Sequence, residues 1–129
     1  MTRTEKTLAA LNSWEKRPFT YGSADCCQFA AHIARAITGR DYMTAFEYAN
    51  EQEANALIDD RGGLESLVCS VLGAPSESLE DGDPVLLRLP MLGDLLGIRL
   101  HDYAVGLSAV RLLEIPERFI TKGWHVCHK

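Results

Sequence analysis

The sequence predicts an α+β domain, with helices in its first half and an antiparallel sheet in its second. Three observations carry this. Before Asp81, apolar residues recur at helical spacing between capping and breaking residues. From Asp81 onward, short apolar runs alternate with turn signals. A run of helices followed by a run of strands is the α+β pattern. The 129 residues are 47% hydrophobic and 24% charged, which suits one globular domain over 1–129.

Each element has a local reason. Leu8, Leu11 and Trp14 recur every three residues, predicting a helix over 3–15 that Arg17-Pro18 stops. Ser23 or Asp25 then caps a second helix, Cys26 to Thr38, closed by Gly39. Ala30, Ala31, Ala34 and Ala36 make that helix slim. Its expected buried stripe is Cys26, Phe29 or Ala30, Ile33 and Ile37, which places it centrally, close against the sheet. A third helix is expected over Glu51–Asp59. After the Gly62-Gly63 break comes a fourth, over Leu64–Leu72. Asp81-Gly82-Asp83-Pro84 is a turn. Strands follow at Val85–Leu89 and Leu95–Leu100, with Val105–Leu107 and Val110–Leu113 as a third strand or a hairpin. Ile115-Pro116 should break the run, Glu117–Ile120 form a short helical turn, and Trp124–Cys127 close as the last strand.

Charge and hydropathy exclude several classes. Thirteen Lys and Arg against eighteen Asp and Glu give a net charge of −5. With no basic cluster, nucleic acid is not an expected partner. No apolar stretch approaches the roughly eighteen residues of a membrane span. Met1–Lys6 opens no signal-peptide core. Four cysteines (Cys26, Cys27, Cys69 and Cys127) are expected as free thiols of a reducing compartment. Cys26, Cys27, His125, Cys127 and His128 hold enough donor atoms for zinc, but their spacing fits no zinc pattern, so neither metal nor cofactor is expected.

The most informative segment is Tyr21-Gly22-Ser23-Ala24-Asp25-Cys26-Cys27. A thiol in the first turn of a helix gains from the unpaired backbone N–H groups and the helix dipole, both of which favour the thiolate. The same N–H groups can receive an oxyanion, and a nearby imidazole would complete a nucleophile–base pair. The plainer alternative is that Cys26 and Cys27 are small buried hydrophobes, the commoner fate of cysteine. Asp25 reads first as a helix cap, Asp81 and Asp83 as turn formers. Asp59-Asp60 reads as a solvated helix end. Gly93-Asp94-Leu95-Leu96-Gly97 lacks the lysine and the following helix of a phosphate loop. The apolar stretch Leu86–Leu100 reads either as core or as a docking surface.

The Tyr-Gly, spacer, Asp25-Cys26 run opening an Ala-rich helix resembles the NlpC-type cell-wall cysteine peptidases, small papain-like domains that cleave peptidoglycan stem peptides. Gly82-Asp83 before Pro84-Val85-Leu86-Leu87 is similar to that family's turn into its first core strand. Leu96-Gly97-Ile98-Arg99-Leu100 is similar to its histidine strand. Over residues 18 to 127 the chain resembles more closely a group of short proteins encoded among bacteriophage tail genes. Thr38-Gly39-Arg40-Asp41, the Gly-Gly pair and Gly123-Trp124-His125-Val126 carry that likeness.

The resemblance implies a papain-like NlpC-type fold with a central cysteine helix on a C-terminal antiparallel sheet, and Cys26 as nucleophile. It implies synthesis in the host cytoplasm, a place in the virion tail, and other tail or baseplate proteins or peptidoglycan as partners. The family's histidine position, however, falls on Leu95 or Leu96, neither of which is a base. His101, at the far end of the same strand, is the candidate substitute, some 17–20 Å along it at ~3.3 Å per residue. His32 points off the Cys26 face of its own helix, and His125 would need the last strand to run beside the helix start.

Two readings follow. A structural tail-tip or baseplate component with a degenerate site predicts Cys26 buried and inert. An active cysteine amidase or endopeptidase predicts a histidine nitrogen within hydrogen-bond range of Cys26.

Overall fold

A computed structural model describes residues 2–15, 25–43, 46–90, 93–108 and 111–127. Four helices precede a five-stranded antiparallel sheet, so the α+β expectation holds. The helices are α1 (Arg3–Asn12), α2 (Cys26–Thr38), α3 (Glu51–Asp60) and α4 (Leu64–Leu72). The strands are β1 (Pro84–Leu89), β2 (Gly93–Leu100), β3 (Tyr103–Leu107), β4 (Leu112–Pro116) and β5 (Ile120–Gly123), with a short 3-10 turn at Glu117–Phe119. The spatial order is β4-β3-β2-β1-β5. None of the described helices is long and apolar enough to cross a membrane.

Helix α1 begins with a capping box, in which Thr2 Oγ accepts from Glu5 N–H and the Glu5 carboxylate accepts from Thr2 N–H. It ends at Asn12, before the expected boundary; Arg17 and Pro18 lie outside the described residues. Its buried side is Thr7, Ala10, Leu11 and Trp14, while Leu8 is exposed. The expected stripe through Leu8 was off the true face: a 3.6-residue period groups 7, 10, 11 and 14. Helix α2 matches its expected bounds. Asp25 caps its start and Gly39 closes it in the left-handed conformation at φ 78°.

Phe29, Ala30, Ile33, Ala34 and Ile37 bury the inner face of α2. This face joins Trp14, Leu86, Leu96, Ile98 and Trp124 in the main core, between helices and sheet. Alternation sends Val85, Leu87 and Ala104 to the opposite sheet face, where Leu79, Leu95, Leu113 and Phe119 pack around them.

Strands β3 and β4 pair as a hairpin, at Tyr103–Leu107 and Leu112–Pro116 rather than Val105–Leu107 and Val110–Leu113, and Val110 lies outside the described residues; the second half departs from expectation in three further places. Strand β2 starts at Gly93 rather than Leu95, lengthened by its pairing with β1 down to Leu89↔Gly93. Pro116 does not break β4; it ends a strand at the sheet edge, where no further neighbour needs its missing N–H. The last strand is Ile120–Gly123, not Trp124–Cys127. Beyond Gly123 the chain still runs beside the foot of β1, but Trp124 N–H donates to Pro84 O at 2.9 Å and Val126 N–H to the Asp83 carboxylate at 2.9 Å. A side chain there replaces the backbone partner a ladder would need.

Asp83 is more than a turn former. It is fully buried and accepts from Glu80 N–H (2.7 Å), Val126 N–H, the His125 imidazole (3.0 Å) and the Arg3 guanidinium. Arg3 also donates to Asp81 O and Val126 O. Removing one partner of a buried ion pair costs about 3–5 kcal/mol. Asp83→Ala should therefore lower unfolding stability in urea by about that amount, whereas His101→Ala, on an exposed turn, should change it by no more than about 0.5 kcal/mol.

A candidate cysteine site

The start of α2 is set by Asp25. Its extended backbone ends the preceding segment, and its carboxylate accepts from Gln28 N–H at 2.9 Å. The carboxylate is buried, 3% exposed, and also accepts from the Tyr48 hydroxyl. Burial and that bond to Asp25 push the Tyr48 phenol far above its ordinary range. Tyr48 thus ties the segment before α3 to the mouth of α2.

Cys26 is the first residue of α2 and is only partly buried. The register of β2 beside the helix brings the Leu96 N–H to the Cys26 sulfur. The Cys27 thiol also donates to it. That bond is the main cause of a Cys26 pKa below the ordinary thiol value; burial opposes it, the Leu96 N–H reinforces it, and the Asp25 charge works against it. Cys27 moves the other way, well upward, because it donates to Cys26, is itself buried, and faces the charges of Cys26 and Asp25. The pair is polarised: negative charge is favoured on Cys26 over Cys27, whose thiol donates to it.

A cavity of about 420 Å3 opens beside this pair. Asp25, Cys26, Cys27 and Tyr48 line it together with Phe46, Leu57 and Ile58 of the α3 region, Leu64 and Leu67 of α4, and Leu95, Leu107 and Ile115 of the sheet. Leu95 therefore faces the cavity that Cys26 faces, and Leu96 touches Cys26 through its backbone. Both positions at which the histidine was expected sit at the site, and both are leucine.

The structure separates Cys26 from His101. His101 lies in the β2–β3 turn at φ 56°, and its N–H donates to Asp81 at 2.7 Å. Its ring, with 56% of the side chain exposed, faces Asp81 and Tyr103. Leu96 and His101 are five residues apart along β2, roughly 16 Å. His32 packs edge-on against Trp14 at 5.6 Å, and His125 is held by Asp83. Among the described residues no imidazole acts on Cys26; His128 lies outside them. The zinc donors are also separated. His125 and Cys127 share a depression with Thr38, at the opposite end of α2 from Cys26 and Cys27. Thirteen helical residues make that about 20 Å. Among the described residues no three His, Cys, Asp or Glu side chains gather as a metal site.

Sequence reasoning missed Tyr48 and the Leu96 N–H. Nothing local marks Tyr48, and a backbone donor has no residue type to find. Cys26 also differs from the buried cysteine that a purely structural reading expects.

Fold and site define an α+β domain carrying a polarised cysteine pair at the mouth of its central helix, with an apolar cavity alongside. Residues 2–126 match the family described as a domain of unknown function, DUF6950, and the chain belongs to it. No curated protein matches the chain.

Iodoacetamide should alkylate Cys26 faster than Cys27 on the native protein, with a pH midpoint below the free-thiol value of about 8.5. Cys27→Ala removes the donor to the Cys26 sulfur and should move that midpoint upward. Peptide mass spectrometry across a pH series reads both.

Proposed function

We propose that the protein is a structural component of a bacteriophage tail tip or baseplate. In this reading it has a papain-like NlpC-type domain whose cysteine site has lost amide hydrolysis. One observation carries the loss of activity: Leu96, whose N–H meets the Cys26 sulfur, and Leu95, which lines the same cavity from the other sheet face, are both leucine, and neither can act as a base. Amide cleavage needs a proton delivered to the departing amine, and a positioned acid–base group contributes about 10²–10⁴-fold. The tail assignment rests on the resemblance over residues 18 to 127, and its partners are other tail or baseplate proteins.

The second reading, a cysteine amidase or endopeptidase acting on peptidoglycan stem peptides during entry, is favoured by the lowered Cys26 pKa at a helix start. Hydrolysis of defined peptidoglycan fragments separates the two. The structural reading expects no release of product by the native chain, and no difference on Cys26→Ala. Product release abolished by Cys26→Ala would overturn it. Leu95→His places an imidazole at the Cys26 cavity and should accelerate Cys26 alkylation at neutral pH. An unchanged rate would show that Leu95 is not the base position.

A further inference from the structure

We propose that the cavity beside Cys26 takes an unbranched acyl chain delivered as a thioester, and that Cys26 accepts the acyl group. The inference rests on the reading above in one respect, that among the described residues no imidazole stands at Cys26.

The cavity's size and walls point to the chain. About 420 Å3 falls within the range of small-molecule sites, roughly 300–1,000 Å3. Phe46, Leu57, Leu64, Leu107, Leu113 and Ile115 give it carbon walls drawn from the α3 and α4 region and the sheet. Away from the thiols and the Asp25–Tyr48 pair, the polar lining is Asn55, Asp94 and Ser108, and Asp94 is already engaged by Arg88 at 2.9 Å.

The head group follows from charge. No lysine or arginine is among the described lining residues, and the buried Asp25 carboxylate stands beside Cys26. A free fatty carboxylate would be repelled there. A neutral carbonyl is not.

The leaving group follows from the missing imidazole. An amine must be protonated as it departs; a thiolate need not be. Cys26, having lost its proton to water, attacks the carbonyl carbon as the thiolate, forming a new C–S bond as the donor's C–S bond breaks. The donor leaves as a thiolate and takes its proton from water. One thioester replaces another, and nothing is oxidised or reduced. The acyl-Cys26 then persists, because among the described residues no imidazole is placed to activate water against it and the Asp25 carboxylate is engaged by Gln28 N–H and the Tyr48 hydroxyl.

The test is incubation of the purified full chain with palmitoyl-coenzyme A or acetyl-coenzyme A, followed by intact-mass and peptide mass spectrometry. The expected result is a single hydroxylamine-labile acyl group on Cys26, formed at least about ten-fold faster from the long-chain donor because its chain buries in the cavity. Cys26→Ser should abolish it. Leu113→Trp, which narrows the cavity from a partly exposed position, should slow the long-chain reaction and spare the acetyl one. No adduct, an adduct confined to the exposed Cys127, or equal rates from both donors would overturn the proposal and leave the loss of amide hydrolysis standing. Continuous release of free fatty acid through a transient Cys26 adduct would support the ligand class while overturning the reading of a site without a base.

Discussion

A carboxylate with no exposed surface sits at the foot of β1, and four donors from three parts of the chain close on it. Arg3 comes from α1, Glu80 N–H from the turn, and His125 and Val126 N–H from the C-terminal segment. Burying a charge costs several kcal/mol before any partner is counted. Asp83 is tolerated because a guanidinium, an imidazole N–H and two backbone N–H groups replace the water it loses. Since those donors are separated by most of the sequence, the carboxylate is satisfied only when both chain ends have come to the first core strand. An acidic side chain has become a condition on topology.

That condition reaches the cysteine site through β1. The turn before it leaves no room beyond glycine: at Gly82, φ is +85°, and a Cβ would collide with Ile37 of α2 and Thr7 of α1. The turn therefore seats both helices as it launches the strand. From there the ladder fixes the rest, with Pro84 opposite Ile98 and Leu86 opposite Leu96. Leu96 is carried to the mouth of α2, whose depth is set by Phe29, Ile33 and Ile37 in the same core. The Leu96 N–H meets the Cys26 sulfur as a consequence of register.

What the sequence made legible was local. Helix α2 could be bounded to the residue because Asp25 and Gly39 punctuate it, and α4 because Gly63 and Gly73 flank it. The Asp25-Cys26 step located the thiol, and the resemblance carried by the apolar-Gly-Ile pattern on β2 pointed to Leu95 or Leu96, of which the Leu96 N–H does meet Cys26. Relations between distant segments stayed hidden. Asp83 reads as one more turn acid until Arg3 and His125 are known to be its neighbours. Tyr48 reads as a loop aromatic until α2 begins beneath it. The C-terminal run looks like a strand, because its alternation is the same whether a backbone carbonyl or a carboxylate receives its N–H groups.

The chemistry left at Cys26 is narrower than that of a complete triad. The helix start, the Cys27 thiol and the Leu96 N–H all stabilise negative charge on sulfur and so ease the ionisation of Cys26. Of these only the Cys27 thiol carries a transferable proton, and that proton is engaged by the Cys26 sulfur. An imidazole takes the nucleophile's proton and then gives one to the leaving group, which is why its loss bears unequally on different acyl donors. For an amide, the tetrahedral adduct returns to starting materials, because thiolate departs far more readily than an unprotonated amine. For a thioester both leaving groups are thiolates, so expulsion of either needs no proton donor, and net transfer depends on how well the cavity holds the acyl chain once it is on Cys26. Under the proposed reading, leucine at positions 95 and 96 supplies apolar wall rather than an acid–base group, which suits an acyl donor whose leaving group needs no proton.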